Sequence, residues 1–329
     1  MTAAYDVTGI GNAIVDIIAQ ADDAFIVEND LVKGSMTLID ADRAETLYGK
    51  MGPAIEASGG SAGNTMAGIA SFGGRGAYIG KVADDQLGAI FRHDIRAIGC
   101  TFDSAPLTGG APTARSFIFV TPDAQRTMNT FLGACVELGP EDVDAAVIGA
   151  SKVTYMEGYL YDKPRAKEAF VKAAQAAHAQ GREVSLTLSD SFCVERHRDA
   201  FRGLVQGHVD ILFGNEEEIL SLYQTRSLDE AVAAVRGACK VAAITRSEKG
   251  ALIVTADRTV EVAAEPILRL VDTTGAGDQY AAGFLYGYTQ GYDLARCGRL
   301  GAIAAAEVIE HIGPRPQVKL AELARSRGA

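Results

Sequence analysis

Val271-Asp272-Thr273-Thr274-Gly275-Ala276-Gly277-Asp278-Gln279-Tyr280-Ala281-Ala282-Gly283-Phe284 joins a run of small residues to a helical pattern with an acid in its first turn. Gly275, Ala276 and Gly277 carry little or no side chain, so a ligand can approach their N–H groups. Those donors and the positive end of the helix dipole suit an anion. Asp278 follows at once, where a carboxylate can face a hydroxyl held against that anion. One short segment thus offers a hole for developing phosphate charge and a base for an attacking alcohol. A glycine loop with an acid at a helix start can equally be plain structure, and two further segments weigh against that reading.

Gly59-Gly60-Ser61-Ala62-Gly63-Asn64 is a second glycine loop that leads into a helix and ends on a single amide. Asp210-Ile211-Leu212-Phe213-Gly214-Asn215-Glu216-Glu217-Glu218 places an amide and three acids just past the end of an apolar strand. In open α/β sheets that edge is where ligands bind. Two better-known phosphate motifs fail. Gly9-Ile10-Gly11-Asn12-Ala13-Ile14 starts like a dinucleotide fingerprint but has Ile14 where the third glycine belongs. Gly76-Ala77-Tyr78-Ile79-Gly80-Lys81-Val82 is one residue short of a P-loop and lacks its hydroxyl.

Around these segments the chain reads as α/β. A strand at 5–10 opens it, and 13–40 alternates loosely like short strands. A helix over 64–72 stops at Gly73-Gly74, and another over 84–98 stops at Gly99. Residues 115–120 and 125–131 flank Thr121-Pro122-Asp123 as a hairpin. From about 140, strands at 153–156, 183–188, 210–213 and 241–245 alternate with helical stretches, which predicts a parallel sheet covered on both faces. Residues 251–254 and 259–263 read as an antiparallel pair, followed by helices over 277–290 and 294–310. The expected architecture is a core of residues 1–12, 46–103 and 133–329 with a small β lid of residues 13–45 and 104–132.

Composition excludes other classes. Of 329 residues, 48% are hydrophobic and 22% charged, as in a folded globular protein. The net charge of −11 argues against bulk binding to nucleic acid or an anionic membrane. The five cysteines form no C-x-x-C pair and read as buried small hydrophobes, and the five histidines lack zinc spacing. No basic, then apolar, N-terminal stretch and no run near membrane-span length is present, so a cytoplasmic protein is expected.

Together the three segments resemble the ribokinase-like (PfkB) family of carbohydrate and nucleoside kinases. The D-T-x-G-A-G-D signature is matched at 272–278, Gly-Gly-x-x-x-Asn at Gly59, Gly60 and Asn64, Gly-Asn-x-x-x-Asp at Gly11, Asn12 and Asp16, and Asn-x-x-Glu at Asn215 and Glu218. The resemblance implies ATP-dependent phosphorylation of a primary hydroxyl on a small acceptor. An exposed lid edge could pair with a second subunit, so a monomer or homodimer is expected. It implies Asp278 as the base with Gly275, Ala276 and Gly277 as the anion hole, and Asp16, Asn64, Gly60 and Asn12 on the acceptor. It also implies Asn215, Thr245, Gly250 and Gly277 on the nucleotide, and Mg²⁺ near Glu218 through water. Asp272 and Thr274 resemble the family's monovalent-cation loop, with K⁺ as the candidate ion. Thr245 to Gly250 is similar to its nucleotide motif T-x-G-x-x-G, with Ser247 in place of the first glycine. Within the family, residues 11–17 and 297–305 resemble adenosine kinases, although Ala302 stands where eukaryotic members carry histidine. A sugar kinase acting on ribose, fructose or a keto-sugar acid is the alternative, and a non-catalytic sensor a further one.

Overall fold

Strands form where short apolar runs end at turn residues, and the order in which they pair places the glycine loops at 59–60 and 275–277 at one edge. The computed structural model describes residues 3–123 and 125–329. The strands are β1 Tyr5–Ile10, β2 Ile14–Gln20, β3 Met36–Leu38, β4 Ala54–Ser58, β5 Gly76–Ile79, β6 Ala114–Val120 and β7 Arg126–Phe131. They continue with β8 Ser151–Glu157, β9 Glu183–Thr187, β10 Ile211–Asn215, β11 Val241–Thr245, β12 Ala251–Val254 and β13 Thr259–Val262. The larger sheet has the order β13-β12-β11-β10-β9-β8-β1-β5. Its pairs from β5 to β11 are parallel, and β12 and β13 add antiparallel.

Two apolar clusters sandwich this sheet, as the sequence pattern predicts. One joins Met156, Leu186 and Leu212 to Phe170 and Phe201 of the helices Pro164–Ala179 and Ser191–His208. The other joins Val7, Val153 and Phe213 to Met66, Phe91 and Phe284 of the helices Ser61–Ser71, Gln86–Ala97 and Ala276–Thr289. Side chains alternate between faces along a strand, so neighbouring residues feed opposite clusters.

The smaller sheet has the order β3-β7-β6-β2-β4. Alternation decides its two faces. Ile17, Phe117 and Phe119 pack with Ile26, Ala44 and Leu47 in the lid's own core. Ile14, Asp16, Ser116, Ile118, Met128 and Thr130 face a cleft between the sheets. Three local readings need correction. The stretch 13–40 is not all strand, because Asp22 accepts from Phe25 N–H and caps a helix at Asp23–Glu28. Six residues are too few to display a helical period. The second correction concerns β4, which the sequence reading leaves within 46–103. It pairs with β2 in the lid sheet, and its exposed Ile55 concealed the strand pattern. Third, the helix predicted from Asn64 begins at Ser61, with Gly60 at the cap position. Among the described residues no helix is long and apolar enough to cross a membrane.

Candidate active site

The C-terminal ends of β1, β8, β9, β10 and β11 open into a cleft of about 1180 Å³ roofed by the lid sheet. Asn12, Asp16, Gly60, Asn64, Asn215, Glu218, Thr245, Gly250, Thr274, Gly275, Ala276, Gly277 and Asp278 all line it. Of the residues given a binding or catalytic role from sequence, Asp272 alone is absent from the wall.

Gly275 caps the helix Ala276–Thr289 at φ +80°, and a Cβ there would lie 2.7 Å from Pro314 Cα. Only glycine fits that corner. Ala276 N–H turns inward to Thr273 O at 3.2 Å, so it does not serve the anion hole that the sequence assigns to it. The remaining first-turn donors, at Gly277 and Asp278, have no backbone acceptor. A Cβ on Gly277 would meet open space, so the cleft comes up to its backbone as a phosphate site requires.

Asp278 reaches across from this helix to the start of the helix Ser61–Ser71. Its Oδ1 accepts from the Ser61 hydroxyl at 2.6 Å, and its Oδ2 accepts from Asn64 Nδ2 at 3.2 Å. Each oxygen retains a lone pair for a ligand hydroxyl. Burial pushes its pKa up to about 6 against those two hydrogen bonds. The Asp16 carboxylate makes no hydrogen bond to the described residues; burial raises its pKa to about 6, opposed by the charges of Arg315 and Arg126. A Cβ on Gly59 would sit 2.4 Å from Asp16 Oδ2, so the glycine pair makes room for this carboxylate.

Glu157, at the end of β8, ties the two N-terminal loops together. It accepts from Asn12 Nδ2 at 2.7 Å and from Ala62 N–H at 2.9 Å. Burial raises it to about 7. Asn12 is thus held behind the site by its amide nitrogen, with its Oδ1 left without a partner. On the far side Asn215 and Glu218 form a reciprocal cap: Asn215 Nδ2 donates to Glu218 Oε1 at 2.7 Å and Asn215 N–H to Oε2 at 3.0 Å. Burial pushes Glu218 up to about 7. With both oxygens engaged, this carboxylate fits a hydrated Mg²⁺ better than direct ligation. Ser247 takes φ +51°, the left-handed turn that the missing glycine would have supplied, so the loop from Thr245 to Gly250 retains its bend.

The K⁺ expectation does not fit Asp272. Its Oδ2 lies 2.8 Å from Arg126 Nη1 and accepts from Gly313 N–H at 3.1 Å, while Oδ1 accepts from Thr274 N–H at 3.0 Å. Those are the surroundings of a neutralised anion. The Arg126 contact is too bent for a directed hydrogen bond and is an ion pair that joins β7 of the lid to the core.

Sequence reasoning missed Ser61, Glu157, Arg126 and Arg315. Glu157 left one signal, a lone acid ending the apolar strand Val153-Thr154-Tyr155-Met156. The four carboxylates Asp16, Glu157, Glu218 and Asp278, all raised by burial around one cleft, mark a functional site on physical grounds.

Known proteins share this arrangement. An adenosine kinase from Sinorhizobium meliloti is 61% identical in sequence over 99% of this chain and 100% of its own, with a TM-score of 0.92. A probable sugar kinase from Rhizobium etli CFN 42 is 57% identical over 99% of each chain, with a TM-score of 0.93. The adenosine kinase of Saccharomyces cerevisiae is 25% identical over 328 residues, which cover 93% of this chain and 95% of the yeast protein. A family model for the pfkB family carbohydrate kinases matches residues 32–320. With a helix-start anion loop and its acid, a roofed cleft and this match, the chain belongs to the PfkB family of carbohydrate kinases.

Proposed function

We propose that this kinase transfers the γ-phosphoryl group of ATP to the 5′-hydroxyl of adenosine. The observation that carries the choice of acceptor is the two-sided character of the cleft. Asp16, Asn64 and Asp278 form a polar end suited to ribose hydroxyls, whereas Ile14, Met36, Leu38, Ile118, Met128 and Leu132 form an apolar wall from the lid. Free ribose or fructose is polar all round and would leave that wall facing water. A purine attached to the ribose would cover it, and apolar walls with a few placed polar groups are the usual form of such sites. Similarity to the Sinorhizobium meliloti adenosine kinase supports the same choice.

Asp278 accepts the proton of the 5′-hydroxyl as that oxygen attacks. The Gly277 and Asp278 N–H groups receive the charge that builds on the phosphoryl oxygens. Phosphoryl transfer asks the protein chiefly for positioning and charge stabilisation, and both groups stand on one rigid helix start. Thr245 and Gly250 line the nucleotide side. Mg²⁺ carried on the ATP phosphates would neutralise their charge there, with Glu218 and Asn215 holding its water. No step is assigned to K⁺. The lid sheet excludes water, which would otherwise take the phosphoryl group.

Initial rates with adenosine, guanosine, cytidine, ribose and fructose test this reading. Adenosine should exceed each sugar in kcat/KM by at least about tenfold, a margin of ~1.4 kcal/mol in transition-state binding. A sugar that surpasses adenosine would replace the acceptor and leave the transfer chemistry as drawn.

A further inference from the structure

The loop between the helices Leu294–Val308 and Leu320–Ser326 carries Pro314-Arg315-Pro316. It is fastened at several points. Gly313 N–H donates to Asp272 Oδ2 at 3.1 Å, and Gln317 N–H to Glu307 Oε1 at 3.0 Å. Gln279 Nε2 donates both to Pro314 O at 3.0 Å and to the backbone oxygen of Asn64 at 2.9 Å. Gln279 follows Asp278 directly, so the helix that presents the base also fixes the backbone from which Arg315 projects.

Arg315 reaches behind the acceptor end of the cleft. Its Nη1 donates to Ser58 Oγ at 2.7 Å and its Nε to Asn64 Oδ1 at 3.3 Å, while Nη2 is enclosed without a partner. Asn64 in turn donates through Nδ2 to Asp278 at 3.2 Å. An amide has one donating and one accepting end, a guanidinium only donates, and a carboxylate only accepts. Both neighbours of Asn64 therefore demand the same orientation, with oxygen toward Arg315 and nitrogen toward the base. Without the guanidinium, the amide oxygen loses its donor and Asp278 alone, through one contact at 3.2 Å, holds the NH₂ end in place.

We propose that Arg315 is a positioning residue for phosphoryl transfer, which locks the Asn64 amide with its NH₂ toward Asp278 and the acceptor. The proposal rests on the kinase reading given above. It is distinct from simple bracing of the loop, because its effect passes through Asn64.

The experiment measures kcat, adenosine KM, ATP KM and Tm for the wild type, R315M, R315K, N64A and the R315K/N64A double variant. R315K retains a buried positive charge and so protects the fold if R315M does not survive. Its single ammonium cannot span Ser58 Oγ and Asn64 Oδ1 as the planar fork does, so adenosine KM should rise about tenfold, with ATP KM within about twofold of wild type. In the N64A background the same replacement should change adenosine KM by less than about twofold, since residues that act as one unit are not additive. A folded R315K with wild-type adenosine KM would overturn the proposal, as would an equal rise in the N64A background or a lowered Tm with unmoved kinetics. A wild-type protein that phosphorylates neither nucleosides nor sugars would overturn the kinase reading and this inference with it. An active wild type with an indifferent R315K overturns the inference alone.

Discussion

Asp278→Asn lowers kcat by ~10²–10⁴ and leaves the fold and ATP affinity in place, the loss expected when a positioned general base is removed. The amide retains contacts to Ser61 and Asn64 but cannot accept the proton of the acceptor hydroxyl. In the wild type kcat/KM should fall as pH drops through about 6, where Asp278 takes up a proton and ceases to act as a base. Asp16 titrates in the same range, so the acid limb belongs to the pair. Stability moves the other way. The folded pKa of Asp278 lies above its unfolded value, so between about 4 and 6 the folded state binds more protons and stability falls as pH rises. Above that window the buried charge is a standing cost, and Asp278→Asn removes it. Tm at pH 8 should therefore rise by ~2–4 °C, allowing for the solvent that reaches the cleft. Activity lost together with stability gained is the signature of a group retained for chemistry. Wild-type turnover in a folded Asn variant would remove Asp278 from the mechanism.

Asp16→Ala should reduce kcat/KM for adenosine by ~10²-fold, as expected for hydrogen bonds to an ionised acceptor worth ~1.5–3 kcal/mol. Asp16 stands on β2, its carboxylate makes no hydrogen bond to the described residues, and it faces the cleft beside Gly59 and Gly60. A carboxylate so placed can accept from two neighbouring hydroxyls at once. Acceptors lacking one of them leave it partly unpaired in a roofed site, and such sites reject those analogues strongly. The variant is therefore best read against 2′-deoxyadenosine and 3′-deoxyadenosine. Wild type should discriminate against at least one, and Asp16→Ala should lose most of that preference. Equal discrimination in both proteins would return Asp16 to a purely structural role.

What the sequence disclosed followed from adjacency. The anion loop and Asp278 lie within four residues of each other, so residue type and order were enough to single them out as one candidate unit. The regular strand and helix alternation after residue 140 likewise repeated often enough to predict the parallel sheet. The partners of Asp278 were hidden because Ser61 lies 217 positions away in the chain and becomes its neighbour only when two helix starts meet over the sheet. Arg315 left no signal at all, since an arginine between two prolines reads as an exposed loop until Asn64 and Ser58 close around it. Ala276 was misjudged for a backbone reason: side-chain size predicts access to an N–H group but not the direction in which it points. The helix Asp23–Glu28 and β4 were lost because short, solvent-edged elements carry too little periodicity to compete with their neighbours.

Phosphoryl transfer to adenosine is tested most directly by following adenosine and ATP with Mg²⁺ by phosphorus NMR. One 5′-AMP should form for each ADP, with no inorganic phosphate while the lid excludes water. ADP that appears with inorganic phosphate and without AMP would contradict such transfer, because the cleft would then be passing the phosphoryl group to water rather than to the 5′-hydroxyl.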